Sequence, residues 1–154
     1  MTLPDHIQQT VKSELERYET KRSAIIPSLF AVQKEYGWVN DETIDALSLL
    51  MDLPEAWIRE VRDFYTMFNR KPVGKKHVQV CCNVSCAMNG GRELAEHLSK
   101  TFAVAEGAVS EDGQVTITRV ECLGSCDTAP MMQVNDEYYE NLTHESAVET
   151  IKGL

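Results

Sequence analysis

Along the first 70 residues the apolar positions recur at helical spacing. Ile7, Val11, Leu15 and Tyr18 fall at steps of four, four and three, one stripe of a helix over residues 5–19. A second helix is expected from Ser23 to Tyr36, with Pro27 near its first turn, Gly37 as its stop, and Ile25, Ile26, Leu29, Phe30, Ala31 and Val32 as its apolar face. Asn40 is a good N-cap for a third, because its side-chain oxygen can take a free backbone N–H, and Asp41 and Glu42 sit favourably at the positive helix end. Ile44, Leu47, Leu50 and Met51 form its buried stripe. Leu53-Pro54-Glu55 starts a fourth, with Pro at its first position and Trp57, Ile58, Val61 and Phe64 as its apolar side chains.

The pattern breaks at residues 69–76, where Pro72, Gly74 and four basic residues leave no apolar face and read as a linker. His77-Val78-Gln79-Val80-Cys81 then alternates as a strand does. Gly90-Gly91 precedes a helix with Leu94, Leu98 and Phe102 in register. Asp112-Gly113 is a hairpin signal before the strand Val115–Val120, and Met131–Val134 pairs with Tyr138–Tyr139 across Asn135-Asp136. Thr143 caps a closing helix carrying Ala147, Val148 and Ile151. The expected order is β-α-β-β-α, a small α/β layer, which with the leading helices makes the chain α+β. The domains are expected at 1–70, helical, and 77–154, α/β, joined by 71–76; no internal repeat is visible.

Composition narrows the function classes. With 43% hydrophobic and 25% charged residues the chain reads as a globular protein. A formal charge of −9 argues against a nucleic-acid partner, which calls for a basic stripe. No apolar run approaches the ~20 residues of a membrane span, and the N-terminus carries neither secretory nor organelle-targeting features. A cytoplasmic location, or the cytoplasmic face of a larger assembly, is expected.

The chemistry lies in the cysteines. There are five, an odd number for a disulfide framework, and they cluster as Cys81, Cys82, Cys86 and then Cys122 and Cys126. Cys81–Cys86 is C-x4-C and Cys122–Cys126 is C-x3-C, each placed where a strand gives way to a loop. Soft thiolates suit iron–sulfur clusters and zinc. Structural zinc is usually gripped by tighter C-x2-C knuckles, whereas a diiron cluster takes two thiolates per iron and tolerates longer loops. Gly124 and Ser125 let backbone N–H groups approach sulfur and tune its charge. A zinc-stabilised adaptor, a thiol–disulfide exchanger and plain buried cysteines stay open on these residues alone. Cys82 reads as a small buried neighbour whose side chain points to the face opposite Cys81. His77, His97 and His144 lie outside both cysteine loops, against a Rieske-type site. No G-x-G-x-x-G or Walker loop marks a nucleotide site.

The run Val80-Cys81-x4-Cys86 with Gly90, then Val120-Glu121-Cys122-Leu123-Gly124-Ser125-Cys126 and Ala129-Pro130, resembles the thioredoxin-like [2Fe–2S] ferredoxins. It is similar above all to the 24-kDa-type (E) subunits of respiratory NADH:quinone oxidoreductase, down to Ile25-Ile26-Pro27 and Phe64-Tyr65-Thr66-Met67-Phe68. The resemblance implies an N-terminal helical bundle followed by a thioredoxin-like ferredoxin domain holding one [2Fe–2S] cluster on Cys81, Cys86, Cys122 and Cys126. It further implies an electron carrier with no catalytic residues of its own, in the peripheral arm of a membrane-associated respiratory complex. The partner it implies is a flavoprotein that binds FMN and NADH. The equivalent subunits of NAD-reducing hydrogenases and NAD-dependent formate dehydrogenases share the pattern. In such a cluster four thiolates, two sulfides and two ferric ions sum to −2, and one electron makes −3, so Glu121 and Asp127 beside the ligands are expected to lower the potential. The Phe64-to-Phe68 segment is expected either to close the helical core or to dock the flavoprotein.

Overall fold

The computed structural model describes residues 2–154, in two compact units: one ending at Pro72, the other Val73–Leu154. The first contains the helices α1 (Asp5–Arg17), α2 (Ile25–Tyr36), α3 (Asp41–Met51) and α4 (Glu55–Phe64), with a 3-10 turn at Lys21–Ala24 before α2. Their stripes meet in one core that includes Ile7, Val11, Ile25, Leu29, Val32, Ile44, Leu47, Met51, Ile58 and Phe68. The Asn40 side chain accepts from Thr43 N at 2.8 Å, as its N-cap role requires, and Gly37 ends α2 in the left-handed conformation. Each fully buried Leu or Ile stabilises this core by about 1.5–3 kcal/mol.

The first unit departs from the expected stripes at several positions. Tyr18 lies past the end of α1 and is exposed, Phe30 is exposed while Ser28 takes the buried place, and Pro54 is the N-cap of α4 rather than its first residue. Trp57 and Phe64 are exposed, and Arg62 is buried instead. A guanidinium is tolerated there because Arg62 donates to Asp41 Oδ1 and Asp63 Oδ1, each at 2.8 Å, and to Val39 O. Ser28 is tolerated because its hydroxyl donates to Ala24 O at 2.7 Å.

The second unit has a sheet of β1 (Lys76–Cys81), β2 (Val115–Val120), β3 (Met132–Val134) and β4 (Glu137–Tyr139), in the order β2-β1-β3-β4. β1 and β2 are parallel, with Cys81 opposite Val120; β1–β3 and β3–β4 are antiparallel. Helices α5 (Val84–Met88) and α6 (Gly91–Thr101) cross from β1 to β2, and α7 (His144–Gly153) closes the chain. Val78, Val80, Ile117, Met132 and Val134 pack with Leu94, Leu98, Ala147 and Ile151. Thr143 caps α7 through Ser146 N, and the Ser146 hydroxyl accepts in turn from Thr143 N.

Here the order is β-α-α-β-β-β-α: the four strands fall at the four segments expected as strands, one more than the order β-α-β-β-α counts, and there is one helix more than expected. The extra helix, α5, takes Cys86 out of the loop where it was expected. Five residues are too few to show a helical period, and what makes the turn is Asn83, whose side chain accepts from Val84 N while its carbonyl accepts from Ala87 N. Asp112-Gly113 does tighten a turn, yet the hairpin shrinks to one antiparallel bridge, Val109 to Thr116, on the edge of β2 that β1 leaves free. Lys76, at the end of the expected linker, is already in β1.

Candidate metal centre

Parallel pairing puts the C-terminal ends of β1 and β2 side by side. Cys81 is the last residue of β1, Cys86 sits in α5, and Cys122 and Cys126 flank the turn that follows β2. Cys81 and Cys86 are buried with Met131 and lean on Leu123 and Ala129; Cys122 and Cys126 are exposed. Gly91 permits the buried pair: a Cβ there would lie 2.6 Å from Cys81 O and 2.9 Å from Cys86 O, closer than any side chain can sit. Gly124 turns the exposed loop at φ +84 and donates its N–H to Cys122 Sγ at 3.4 Å, the contact expected from the small residues between the cysteines.

The thiols stand as two neighbouring pairs, Cys81 with Cys86 and Cys122 with Cys126, and the pairs are near enough for Cys126 to feel Cys81 electrostatically. Burial, then the neighbouring Cys81, pushes the Cys86 thiol up to about 11, while a backbone hydrogen bond at Met131 works against it. Cys126 is pushed up as well, first by the neighbouring Cys122. Cys81 Sγ donates to Glu121 O at 2.9 Å, a bond that only the protonated thiol makes. Ligation would release those protons. Among the described residues no three His, Cys, Asp or Glu side chains converge as a single ion requires. A donor set of two soft pairs fits a cluster with two thiolates per iron.

Cys82 is half-buried against the core of the second unit, its Sγ 3.7 Å from Gly91 O, while Cys81 belongs to the other cluster of buried residues, so the two point apart. Glu121 and Asp127 are exposed, and Asn83 Nδ2 donates to Glu121 at 3.1 Å. His77 lies on β1 with its Nε2 3.0 Å from Thr118 Oγ1; His97 and His144 stack on each other with ring centroids 4.5 Å apart.

Several residues escaped the sequence reading. Ser85 donates to Cys126 O at 2.9 Å, tying α5 to the second cysteine loop. Tyr138 donates to Leu123 O at 2.7 Å, and Glu140 accepts from Ser125 and Thr128. The only hint was a serine immediately before each of Cys86 and Cys126.

A family model described as thioredoxin-like [2Fe–2S] ferredoxin matches residues 11–154. The chain belongs to that family. Within the ferredoxins it is of the type found as a subunit of NADH-quinone oxidoreductases. The E 2 subunit of the NADH-quinone oxidoreductase of Rhizobium meliloti is 39% identical over 137 residues, 86% of this chain and 82% of the relative. NADH-quinone oxidoreductase subunit 2 of Thermus thermophilus is 40% identical over 137 residues, 88% of this chain and 76% of the relative. Among solved structures, an NAD+-reducing [NiFe]-hydrogenase in the air-oxidized state superposes with a TM-score of 0.67 at 23% identity, over 81% of this chain and 22% of that longer one. At that identity the hydrogenase shows that the ferredoxin shares its fold. No helix among the described residues is long and apolar enough to cross a membrane.

Proposed function

We propose that Cys81, Cys86, Cys122 and Cys126 hold one [2Fe–2S] cluster, and that the chain carries electrons as a subunit of an NADH-quinone oxidoreductase. The observation that carries the reading is the pairing of these four thiols at the adjoining ends of two parallel strands, in a chain of the ferredoxin family. Bound there, the cluster supplies one-electron chemistry. The protein's own part is to bury one thiol pair from water, to offer the Gly124 backbone N–H to sulfur, and to set the local charge through Glu121 and Asp127.

The electrons come, in this reading, from the FMN of a partner flavoprotein that oxidises NADH, in the peripheral arm of a respiratory complex on its cytoplasmic side. Subunits of NADH-quinone oxidoreductase at 39% and 40% identity support that parent over a hydrogenase diaphorase. Residues 77–154 would carry the cluster and residues 1–70 would dock the partner. Phe68 is only 3% exposed and packs on Phe30, so it closes the helical core; Phe64, Tyr65 and Met67 are exposed and supply the docking edge. The test is anaerobic EPR of the purified chain with NADH, with and without the co-expressed flavoprotein. A reduced-cluster signal only when both are present supports the assignment. Reduction by NADH without the flavoprotein, or none with it, contradicts it.

A further inference from the structure

The exposed cysteine loop has no core of its own to shape it, and the segment around the end of β4 grips it instead. Tyr138 hydroxyl donates to Leu123 O at 2.7 Å, Asn141 N to Thr128 O at 2.8 Å, and Leu142 N to Pro130 O at 3.0 Å. Between them one oxygen of the exposed Glu140 carboxylate receives the Ser125 hydroxyl and, at 2.8 Å, the Thr128 hydroxyl. Those two hydroxyls flank Cys126 and Asp127, the start of the 3-10 turn Cys126–Thr128. On the other side Ser85 donates to Cys126 O at 2.9 Å from α5, the helix that carries Cys86. Cys126 is therefore held from β4 and from the other ligand pair's helix at once. A carboxylate or amide oxygen at that point has the two lone pairs needed to accept both hydroxyls. The same bonds hold the Glu140 carboxyl below the usual carboxylate range, so it is ionised at neutral pH.

We propose that Glu140 is a positioning residue for the cluster: through Ser125 and Thr128 its carboxylate holds the Cys122–Cys126 loop in the shape that receives iron. It touches neither cysteine, and it acts by limiting how far Cys126 strays once a sulfur–iron bond opens. The inference rests on the four-cysteine reading above.

The experiment compares the full-length chain, reconstituted anaerobically, with Glu140→Ala, Glu140→Gln and the double variant Ser125→Ala/Thr128→Val. Iron release to a ferrous-iron chelator after dithionite reduction is followed, and the reduced EPR line shape is recorded. Glu140→Ala is expected to release iron roughly three- to tenfold faster, the worth of one or two exposed hydrogen bonds. Glu140→Gln, whose amide oxygen still accepts, is expected to stay near the wild-type rate. The double variant removes both donors, leaves the carboxylate to water, and is expected to match Glu140→Ala. Wild-type rates in Glu140→Ala or the double variant, or release from Glu140→Gln as fast as from Glu140→Ala, overturn the proposal. A wild-type chain that takes up no iron and sulfide fails the four-cysteine reading instead. Should Glu140→Ala not fold, the rate of the double variant alone decides, fast release supporting the proposal and wild-type release overturning it.

Discussion

The two cysteine pairs are built by opposite means. Cys81 and Cys86 are 3% and 2% exposed, and their places are set by a strand, a short helix and the tight approach of Gly91. Cys122 and Cys126 are exposed, and theirs are set by hydrogen bonds donated by Tyr138, Ser85 and the Gly124 N–H and by the two that Glu140 accepts. One half of the site comes with the fold of the second unit; the other is a surface loop held in place. A buried pair excludes water and keeps its geometry at the cost of a raised Cys86 thiol pKa, whereas an exposed pair is open to a partner and to exchange. Damage to the first pair should therefore reach the fold, and damage to the second should stop at the cluster.

The largest expected effect is at Gly91. Gly91→Ala drives a methyl into the carbonyls of both buried cysteines, and backbone has to move; about 3 kcal/mol or more of stability is expected to go, as in overpacked cores. Thermal melting and iron content should fall together, and a normal melt with a loaded cluster would break the distinction between the pairs. Next come the proposed ligands themselves. Cys86→Ser places a hydroxyl in an apolar site and is expected to lose the cluster and about 1–3 kcal/mol. Cys122→Ser should lose or weaken the cluster while the apo-protein melts as wild type does. Equal destabilisation by the two would contradict the comparison.

Charge gives a smaller effect, confined to the exposed side. At ~10 Å and an effective dielectric of ~20 one charge is worth roughly 1.7 kcal/mol, or about 70 mV for one electron. Redox titration of Asp127→Asn is expected to raise the midpoint potential by tens of millivolts below that ceiling, since solvent screens an exposed carboxylate. An unchanged or lowered potential would remove Asp127 from the account.

Acid should separate the two sides again. Burial holds the His77 imidazole below its usual value of 6.5, so the unfolded chain binds the proton first and stability falls as pH drops through and below 6.5. Glu140 is depressed from 4.5, so the loop keeps its hold down to about that pH and loses it below. Amide protection factors, taken against the intrinsic exchange rate at each pH, should fall for Val78 and Val80 in β1 between pH 7 and 5, while those of Cys126 and Thr128 change only below 4.5. A single shared transition would count against two separately built pairs. The smallest effect is at Cys82, half-buried and pointing away from Cys81: Cys82→Ala should leave iron content and the EPR signal unaltered.

What could be read from the sequence follows the same division. Local signals were legible: the stripe of α3 behind its Asn40 cap, the Asn135-Asp136 turn, the Thr143 cap, and the cysteine spacings with Gly124 between them. Register was not, because the parallel pairing that sets Cys81 opposite Val120 joins residues with no local relation. Arg62 also defeated the apolar period, since its burial depends on Asp41, distant in sequence. The Glu140 bonds left no trace because a lone glutamate after a strand reads as a solvated charge until the fold brings Ser125 and Thr128 beneath it.

The most direct measurement is iron and acid-labile sulfide analysis of the anaerobically purified chain, with visible and EPR spectra before and after dithionite. Two irons and two sulfides per chain, silent when oxidised and giving an S = 1/2 signal when reduced, are what four cysteines arranged as two pairs predict. A colourless chain carrying stoichiometric zinc, even after anaerobic preparation, would contradict the electron-carrier assignment and leave a structural adaptor in its place.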